Sequence, residues 1–337
     1  MNVSKNEGLI MKYKKFSIVL LTSSIFFLSG CGSNNDKSPE SIEVNSAALY
    51  PEGIAYYSKN DRFYLGSYHK GKIVSVDTKG NIYPFAEDDT LVTIVGIKID
   101  TQNNRLIACN TDLGFGTKSS NATIGQLANV VVYDLSSGEK IHSYNLSTLY
   151  QGGHFINDLT LDKEGNIYVT DSFSPVIYKI TATGKMSIFS QDAQFVVEQG
   201  QFGLNGIAIS GEYLIVAKSE GAKLFKIPLN NGDVVQEISV NQNLNSIDGL
   251  LVNSNNELLV VSNNFTGQGY SEAVYKLTSQ DSWSSASVVD TFNVEGNVYP
   301  TTLASKNGTI YANYSHLPAL ILEQPNVDVF TIQKVIF

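Results

Sequence analysis

The sequence predicts an all-β fold, a six-bladed β-propeller of four-stranded antiparallel blades. Three observations predict it. Past Ser46 the chain repeats one pattern six times: an apolar alternating run, a polar turn containing Asn, Asp or Gly, and a second apolar run. The repeats start 43, 62, 48, 43 and 52 residues apart with no helical periodicity between them, which is the spacing of propeller blades. Composition agrees, since Tyr (18), Phe (16) and Gly (27) are plentiful and Pro (8) is scarce, as suits short strands joined by polar turns. With 337 residues, 42 % of them hydrophobic, the chain can bury a sizeable core. A β-sandwich or a stack of β-domains would leave the shared register of the six repeats unexplained.

The chain opens on an address. Residues 11–15 read MKYKK, a basic segment, so Met11 serves as a start as well as Met1. Residues 16–28 form an apolar run of signal-peptide length, too short for a comfortable membrane span. It ends in Leu28-Ser29-Gly30-Cys31, a bacterial lipobox. The expectation is a lipoprotein signal peptide over 1–30, lipidation at Cys31, and a flexible tether over 31–45. That places the protein in the cell envelope, held to the membrane on the periplasmic or extracellular side. Charged residues make up only 16 % and the net charge is −9, which disfavours nucleic acid and is compatible with cation binding. A monomer is expected. Cys109 is left as a lone cysteine in the strand-like run Leu106-Ile107-Ala108-Cys109, so no internal disulfide is expected and the thiol reads as buried and inert.

The blades follow in order. The first repeat starts at Gly53 (GIAYYSKNDRFYLGS) and continues into a third strand, KIVSVD, at 72–77. The second starts at Gly96 (GIKIDTQNNRLIACN), and the interval after it holds a Gly/Ser/Thr-rich insertion at 112–126. The third starts at Asp158 (DLTLDKEGNIYVTDS), with a third strand at 176–180 and a fourth after Gly184. The fourth starts at Gly206 (GIAISGEYLIVAKS) with a third strand at 223–227, and the fifth at Gly249 (GLLVNSNNELLVVSN), trailed by an insertion at 265–271. Such loops can cover the mouth of the channel. The sixth starts at Thr301 (TTLASKNGTIYANYS). Residues 330–336 read as an outer strand of that blade, and the chain before Gly53 or after Asn326 is expected to close the ring.

In a propeller the first strand of each blade lines the central channel. The residue just before each repeat therefore sits at one rim. Around the ring those residues are Glu52, Val95, Asn157, Asn205, Asp248 and Pro300. Four carry oxygen donors. Two carboxylates held together are costly unless a cation compensates. Hard oxygens without His or Cys select Ca²⁺, Mg²⁺ or Mn²⁺, most simply Ca²⁺. Asn and Asp also cap strand starts by satisfying local amides, and each of the four taken singly reads that way. What points to a site is that all four fall at one phase. Residues just after the second strands, Ser67, Asn110, Asp171, Lys218 and Asn263, are candidates to stand behind them, with Lys218 as the one cation available to steer a carboxylate.

The segments Pro51-Glu52-Gly53, His154-Phe155-Ile156-Asn157-Asp158, Gly203-Leu204-Asn205-Gly206 and Ile247-Asp248-Gly249 resemble the family named for senescence marker protein (regucalcin), gluconolactonase and luciferin-regenerating enzyme. The resemblance runs from Ser46 to Phe337. It implies Glu52, Asn205 and Asp248 as metal ligands, with Asn157 at the substrate or a metal-bound water and Asp248 also as general base. The expected activity is calcium-type metal-dependent hydrolysis of a lactone or related small ester. Phe155 stands where sugar-lactone members of the family carry Arg, which suggests a more apolar substrate. His154, Phe155, Asp171 and Lys218 are the substrate-binding candidates. Looser likenesses, to strictosidine-synthase-like and NHL-type propellers, keep open a non-catalytic binding propeller of the cell envelope. Other chemistry is thinly represented. The four histidines lack metal-helix spacing, no Gly-x-Ser-x-Gly elbow occurs, and residues 114–119 only faintly suggest a phosphate loop.

Overall fold

The repeats that start at Gly96, Asp158 and Gly249 fold back on themselves around a turn whose side chain does the work of a backbone acceptor. Asp100 Oδ1 accepts the N–H groups of Gln102 and Asn103 at 3.1 Å, Asp162 Oδ1 that of Asn166 at 2.8 Å, and Asn253 Oδ1 those of Asn255 and Glu257 at 3.0 Å. The structure, a computed structural model, describes residues 38–337. The expected signal peptide at 1–30, the lipidation site Cys31 and the first part of the tether lie outside the described residues.

Strand β1 covers Ser41–Asn45. Blade I is β2 (Pro51–Tyr57), β3 (Arg62–Ser67), β4 (Lys72–Asp77) and β5 (Ile82–Glu87). Blade II is β6 (Thr93–Asp100), β7 (Arg105–Thr111), β8 (Ala128–Asp134) and β9 (Lys140–Asn145). Blade III is β10 (Ile156–Leu161), β11 (Ile167–Asp171), β12 (Val176–Ile180) and β13 (Met186–Gln191). Blade IV is β14 (Leu204–Ser210), β15 (Tyr213–Lys218), β16 (Lys223–Pro228) and the short β17 (Gln236–Glu237). Strand β18 (Ser239–Val240) then joins blade V, β19 (Ile247–Val252), β20 (Leu258–Ser262), β21 (Ala273–Thr278) and β22 (Ser285–Asn293), by pairing parallel to β22. Blade VI takes β23 (Pro300–Lys306), β24 (Thr309–Tyr314) and β25 (Val329–Lys334). The protein is thus an all-β six-bladed propeller of antiparallel four-stranded blades, blade V carrying one extra two-residue strand. The innermost strands pack side by side in blade order, and β23 packs against β2 to close the circle.

Closure corrects two expectations. Residues 41–45, expected in the tether, form β1, the outermost strand of blade VI, antiparallel to β25. The physical reason is their alternation: Ile42 and Val44 are buried while Ser41, Glu43 and Asn45 face solvent. The C-terminal strand, expected at the outer edge, is consequently third in that blade and is covered on both sides. Cys109 is fully buried in the core between the blades, as expected of a packing residue.

The first strand of all six blades carries the same irregularity. Pairing with the second strand slips between Pro51 and Ile54, Ile94 and Ile97, Ile156 and Leu159, Leu204 and Ile207, Ile247 and Leu250, and Pro300 and Leu303. A bulge here turns the strand and re-aims the side chains within it. The bulged residues begin with Glu52, Val95, Asn157, Asn205, Asp248 and, in blade VI, Thr301. The sixth rim position is therefore Thr301 and not Pro300, because Pro300 occupies the paired position before the bulge.

Candidate functional site

The bulges place Glu52, Asn157, Asn205 and Asp248 on one cavity at the channel mouth. Its volume is about 130 Å³. The same four side chains line the narrow channel beneath, together with Asp158, Lys98, Thr301 and Thr302. Glycines at the second bulge position let the innermost strands approach this closely. A Cβ on Gly96 would lie 2.7 Å from the Asn157 carbonyl oxygen, and one on Gly249 would lie 2.5 Å from that of Thr301. Gly53 and Gly206 press on the carbonyls of Val95 and Asp248 in the same way. Blade III has Asp158 in this place instead. Its carboxylate accepts the N–H of Leu159 at 2.8 Å and pairs with Lys98 at 3.5 Å.

The two asparagines are held by serines that follow the second strands. Asn157 Nδ2 donates to Ser172 Oγ at 3.0 Å, and Asn205 Nδ2 donates to Ser219 Oγ at 2.9 Å. Each serine hydroxyl spends its own proton on a carbonyl of the next blade, Ser172 on Leu204 O at 2.6 Å and Ser219 on Ile247 O at 2.8 Å. A hydroxyl with its one proton committed can only accept, so the neighbouring amide must present its nitrogen. That orientation leaves each amide oxygen as the end turned away from the serine. Asn263 plays the matching part in blade V, with Nδ2 donating to Asp248 Oδ2 and to Pro300 O. In blade VI the bond to the next blade comes instead from within the second strand, Asn313 donating to Pro51 O at 2.6 Å.

Burial pushes the Glu52 carboxyl well above the usual carboxylate range, and the charges of Asp248 and Asp158 push it further, against the opposing pull of Lys98. Asp248 is pushed up to about 7, again chiefly by burial, while its contacts with Asn263 and Asn205 hold it down. Two buried carboxylates in one apolar-walled cavity resist full ionisation unless a proton or a cation is shared between them. Among the described residues no group of three or more His, Cys, Asp or Glu side chains is arranged as a metal site. A cation here would depend on the amide oxygens as well as the carboxylates, and the donor set, two carboxylates and two carboxamides, fits a hard divalent ion. The walls are apolar, with Tyr68, Leu113, Phe155, Phe202, Phe265 and Tyr299 among them.

Comparison with solved structures bears on the fold. The crystal structure of the major allergen Mala s 1 of Malassezia sympodialis matches with a TM-score of 0.70 and 19 % identity, covering 88 % of this chain and 96 % of that one. A luciferin-regenerating enzyme matches at 0.59 and 13 %, covering 88 % and 97 %. A gluconolactonase from Xanthomonas campestris matches at 0.56 and 13 %, covering 86 % and 88 %. The chain shares their fold. No family model and no curated protein sequence matches it.

Of the remaining candidates, Phe155 lines the cavity and three do not. Asp171 is fully buried beside it, accepting the N–H groups of Phe155 and Phe173 at 2.9 and 3.0 Å and binding His154 Nδ1 at 2.8 Å. His154 is thereby packed with Asp171 and the Tyr178 hydroxyl rather than turned to a ligand. Lys218 donates to the carbonyls of Gln194 and Val196 at 3.1 and 2.9 Å and pairs with Glu220 at 2.9 Å. The reason is alternation. Ser67, Asn110, Asp171 and Lys218 are paired directly with the residue before each bulge, and side chains there face away from the cavity. One residue further, at Tyr68, Ser172, Ser219 and Asn263, the side chains face the bulge. Sequence reasoning found Asn263 and missed the other three. A consistent count from the end of each second strand would have exposed them.

Proposed function

We propose that this cavity binds a calcium-type cation and hydrolyses a small ester or lactone there. The observation that carries the reading is the pairing of Glu52 and Asp248, both buried and both driven toward protonation, with two amides whose nitrogens are tied back by serines. Glu52, Asp248, Asn157 and Asn205 would hold the ion. When bound, such an ion polarises an ester carbonyl and makes a coordinated water more acidic.

The chain's own contribution is positioning and proton handling. Asp248, buried on the cavity floor and held by Asn263, is placed to take up a proton from an attacking water. Asn263 fixes the Asp248 carboxylate by its hydrogen bond. Asn157 has one amide proton committed to Ser172, which leaves its second proton to donate to a substrate carbonyl while its oxygen faces the ion. The apolar walls exclude bulk water and strengthen each of these contacts. The names of the gluconolactonase and the luciferin-regenerating enzyme that share the fold support a hydrolytic reading, on fold analogy only.

The test is hydrolysis of aryl esters and lactones with and without chelator, on the natural protein and on Asp248→Ala. Turnover abolished by chelator, restored by calcium and lost in Asp248→Ala with an unchanged melting curve is expected; full activity in the variant would refute the assignment. A second reading, ligand capture without turnover, is favoured by the engagement of Lys218 elsewhere, which leaves no cationic side chain among the described residues of the cavity wall. Calcium binding with no turnover on the panel selects it. The lipobox ending at Cys31 supports envelope anchoring, and Cys31→Ser should release the protein from the membrane fraction; retention there would refute it.

A further inference from the structure

We propose that the ligand of this cavity carries a single apolar ring, aryl rather than polyhydroxylated, with its oxygen-bearing group turned onto the floor formed by Glu52, Asn157, Asn205 and Asp248. The inference rests on the functional reading of the same floor and adds the class of ligand.

Size is the first argument. The cavity measures about 130 Å³, close to the roughly 150 Å³ that accommodates a benzene molecule in a protein core. One six-membered ring fills it, and a second fused ring would have to project from the mouth beside Phe202 and Phe265.

Wall chemistry is the second. Phe155, Phe173 and Phe202 form a cluster with ring centroids 5.6 to 5.8 Å apart. Phe155 and Phe202 present that cluster to the cavity, facing Tyr68, Phe265 and Tyr299. Such rings reward an inserted ring with edge and offset contacts. Phe202 and Phe265 are 37 % and 38 % exposed at the mouth, so a ligand ring covers apolar surface that water otherwise wets.

Polar accounting is the third. Above the floor, the polar side chains on the cavity are Ser219, Ser246, Asn263 and the tyrosines Tyr68 and Tyr299, and the first three are engaged. Ser219 Oγ donates to Ile247 O at 2.8 Å and accepts Asn205. Asn263 Nδ2 serves Asp248 and Pro300 O, and Ser246 Oγ donates to Asn263 Oδ1 at 3.4 Å. A polyhydroxylated ring entering here would find two tyrosine hydroxyls and would bury its remaining hydroxyls without partners, which is costly.

The test uses three neutral probes on the full chain in millimolar calcium. Acetophenone has one ring and one carbonyl and is not hydrolysed; 2-acetonaphthone adds a ring; D-glucose replaces the apolar ring with a polyol. Affinity is read by calorimetry or ligand-observed NMR. Acetophenone is expected to bind, 2-acetonaphthone about tenfold more weakly, and glucose not at all. Phe202→Ser, at an exposed position, is expected to weaken acetophenone about fivefold with calcium affinity unchanged. Phe265→Ser serves the same purpose should the first variant fail to fold. No acetophenone binding, equal binding of glucose, or indifference to both substitutions overturns the proposal. Acetophenone binding without phenyl acetate turnover sinks the hydrolytic reading and leaves this one standing. Turnover of phenyl acetate and gluconolactone at equal efficiency sinks this one alone.

Discussion

Ser172 and Ser219 decide which end of an amide faces the axis. Asn157 and Asn205 are symmetric enough in shape to turn over, and only the serine hydroxyls, each with its proton spent on a carbonyl, forbid it. Ser219→Ala removes an acceptor from Asn205 and a donor from Ile247 O, leaving buried polar groups unpaired at a cost of about 1–3 kcal/mol. The amide then has no preferred face. Calcium affinity measured by calorimetry is expected to fall several-fold in Ser219→Ala and again in Ser172→Ala, with affinity restored by Thr at either position. Unchanged affinity in both alanine variants would show that the amide oxygens are not ligands. None of this hydrogen bonding is legible in the sequence. Glu52, Asn205 and Asp248 were legible because each directly precedes a repeated Gly, and Asn157 because it precedes Asp158 at the same phase of the repeat. Their supports were not, because the end of a second strand carries no such marker and an error of one residue turns the reading from the cavity to the opposite side of the strand. Asp171 and Lys218 were lost to that error, whereas His154, two residues before β10, is turned from the cavity by its bond to Asp171.

The bulge is the element that makes six strand starts into one rim. It adds one residue to each innermost strand and turns the added side chain toward the axis, where the paired residue before it would have pointed into the blade. The glycine that follows makes this possible, since blades meet there backbone to backbone. Gly96→Ala puts a methyl 2.7 Å from both the Asn157 carbonyl oxygen and the Asp158 Cα, atoms of a buried strand that cannot swing aside. Such overpacking costs about 1–3 kcal/mol or more, and the urea midpoint should fall accordingly. Because the strain lands on Asn157, calcium affinity should fall with it, whereas an alanine that leaves both midpoint and affinity unmoved would mean the blades are free to part. The repeated Gly was visible in four blades, and the six strand–turn–strand repeats gave the blade count. Blade VI has Thr301-Thr302 in its place, and without the Gly the phase slipped to Pro300. Strand β1 escaped notice for a related reason. Five residues with two buried side chains, Ile42 and Val44, carry too short an alternation to stand out beside a polar segment. Its role depends on a partner, β25, some 290 residues away in sequence.

At the scale of the ring, the first and last strands lock together at the blade rim while charge accumulates at its axis, and the two interact through stability. Thr301 Oγ1 donates to Glu52 O and Asn313 Nδ2 to Pro51 O, so the residue that begins the site also sits at the seam where blade VI meets blade I. Electrostatic stress on Glu52 is therefore stress on closure. The sign follows from the raised carboxyls. Asp248 titrates at about 7 in the folded ring against an ordinary 3.8, and Glu52 is displaced in the same direction. Between those values the folded state holds protons that the unfolded chain has released, so the contribution of this pair to stability is full below about pH 4 and declines as pH rises toward 7. A shift of this size corresponds to about 2–4 kcal/mol after allowance for relaxation of the buried pair. In chelator the melting temperature should therefore drop by about 5 °C between pH 5 and pH 8. A cation that replaces the proton reverses the trend, because it binds the ionised pair and not the protonated one. Millimolar calcium should raise the melting temperature little at pH 5 and should close most of the gap at pH 8. Asp248→Asn removes one member of the pair, so its melting temperature should vary less with pH and respond weakly to calcium. A variant that keeps the full pH slope would place the titrating groups elsewhere on this acidic chain and detach the stability of the ring from its axis.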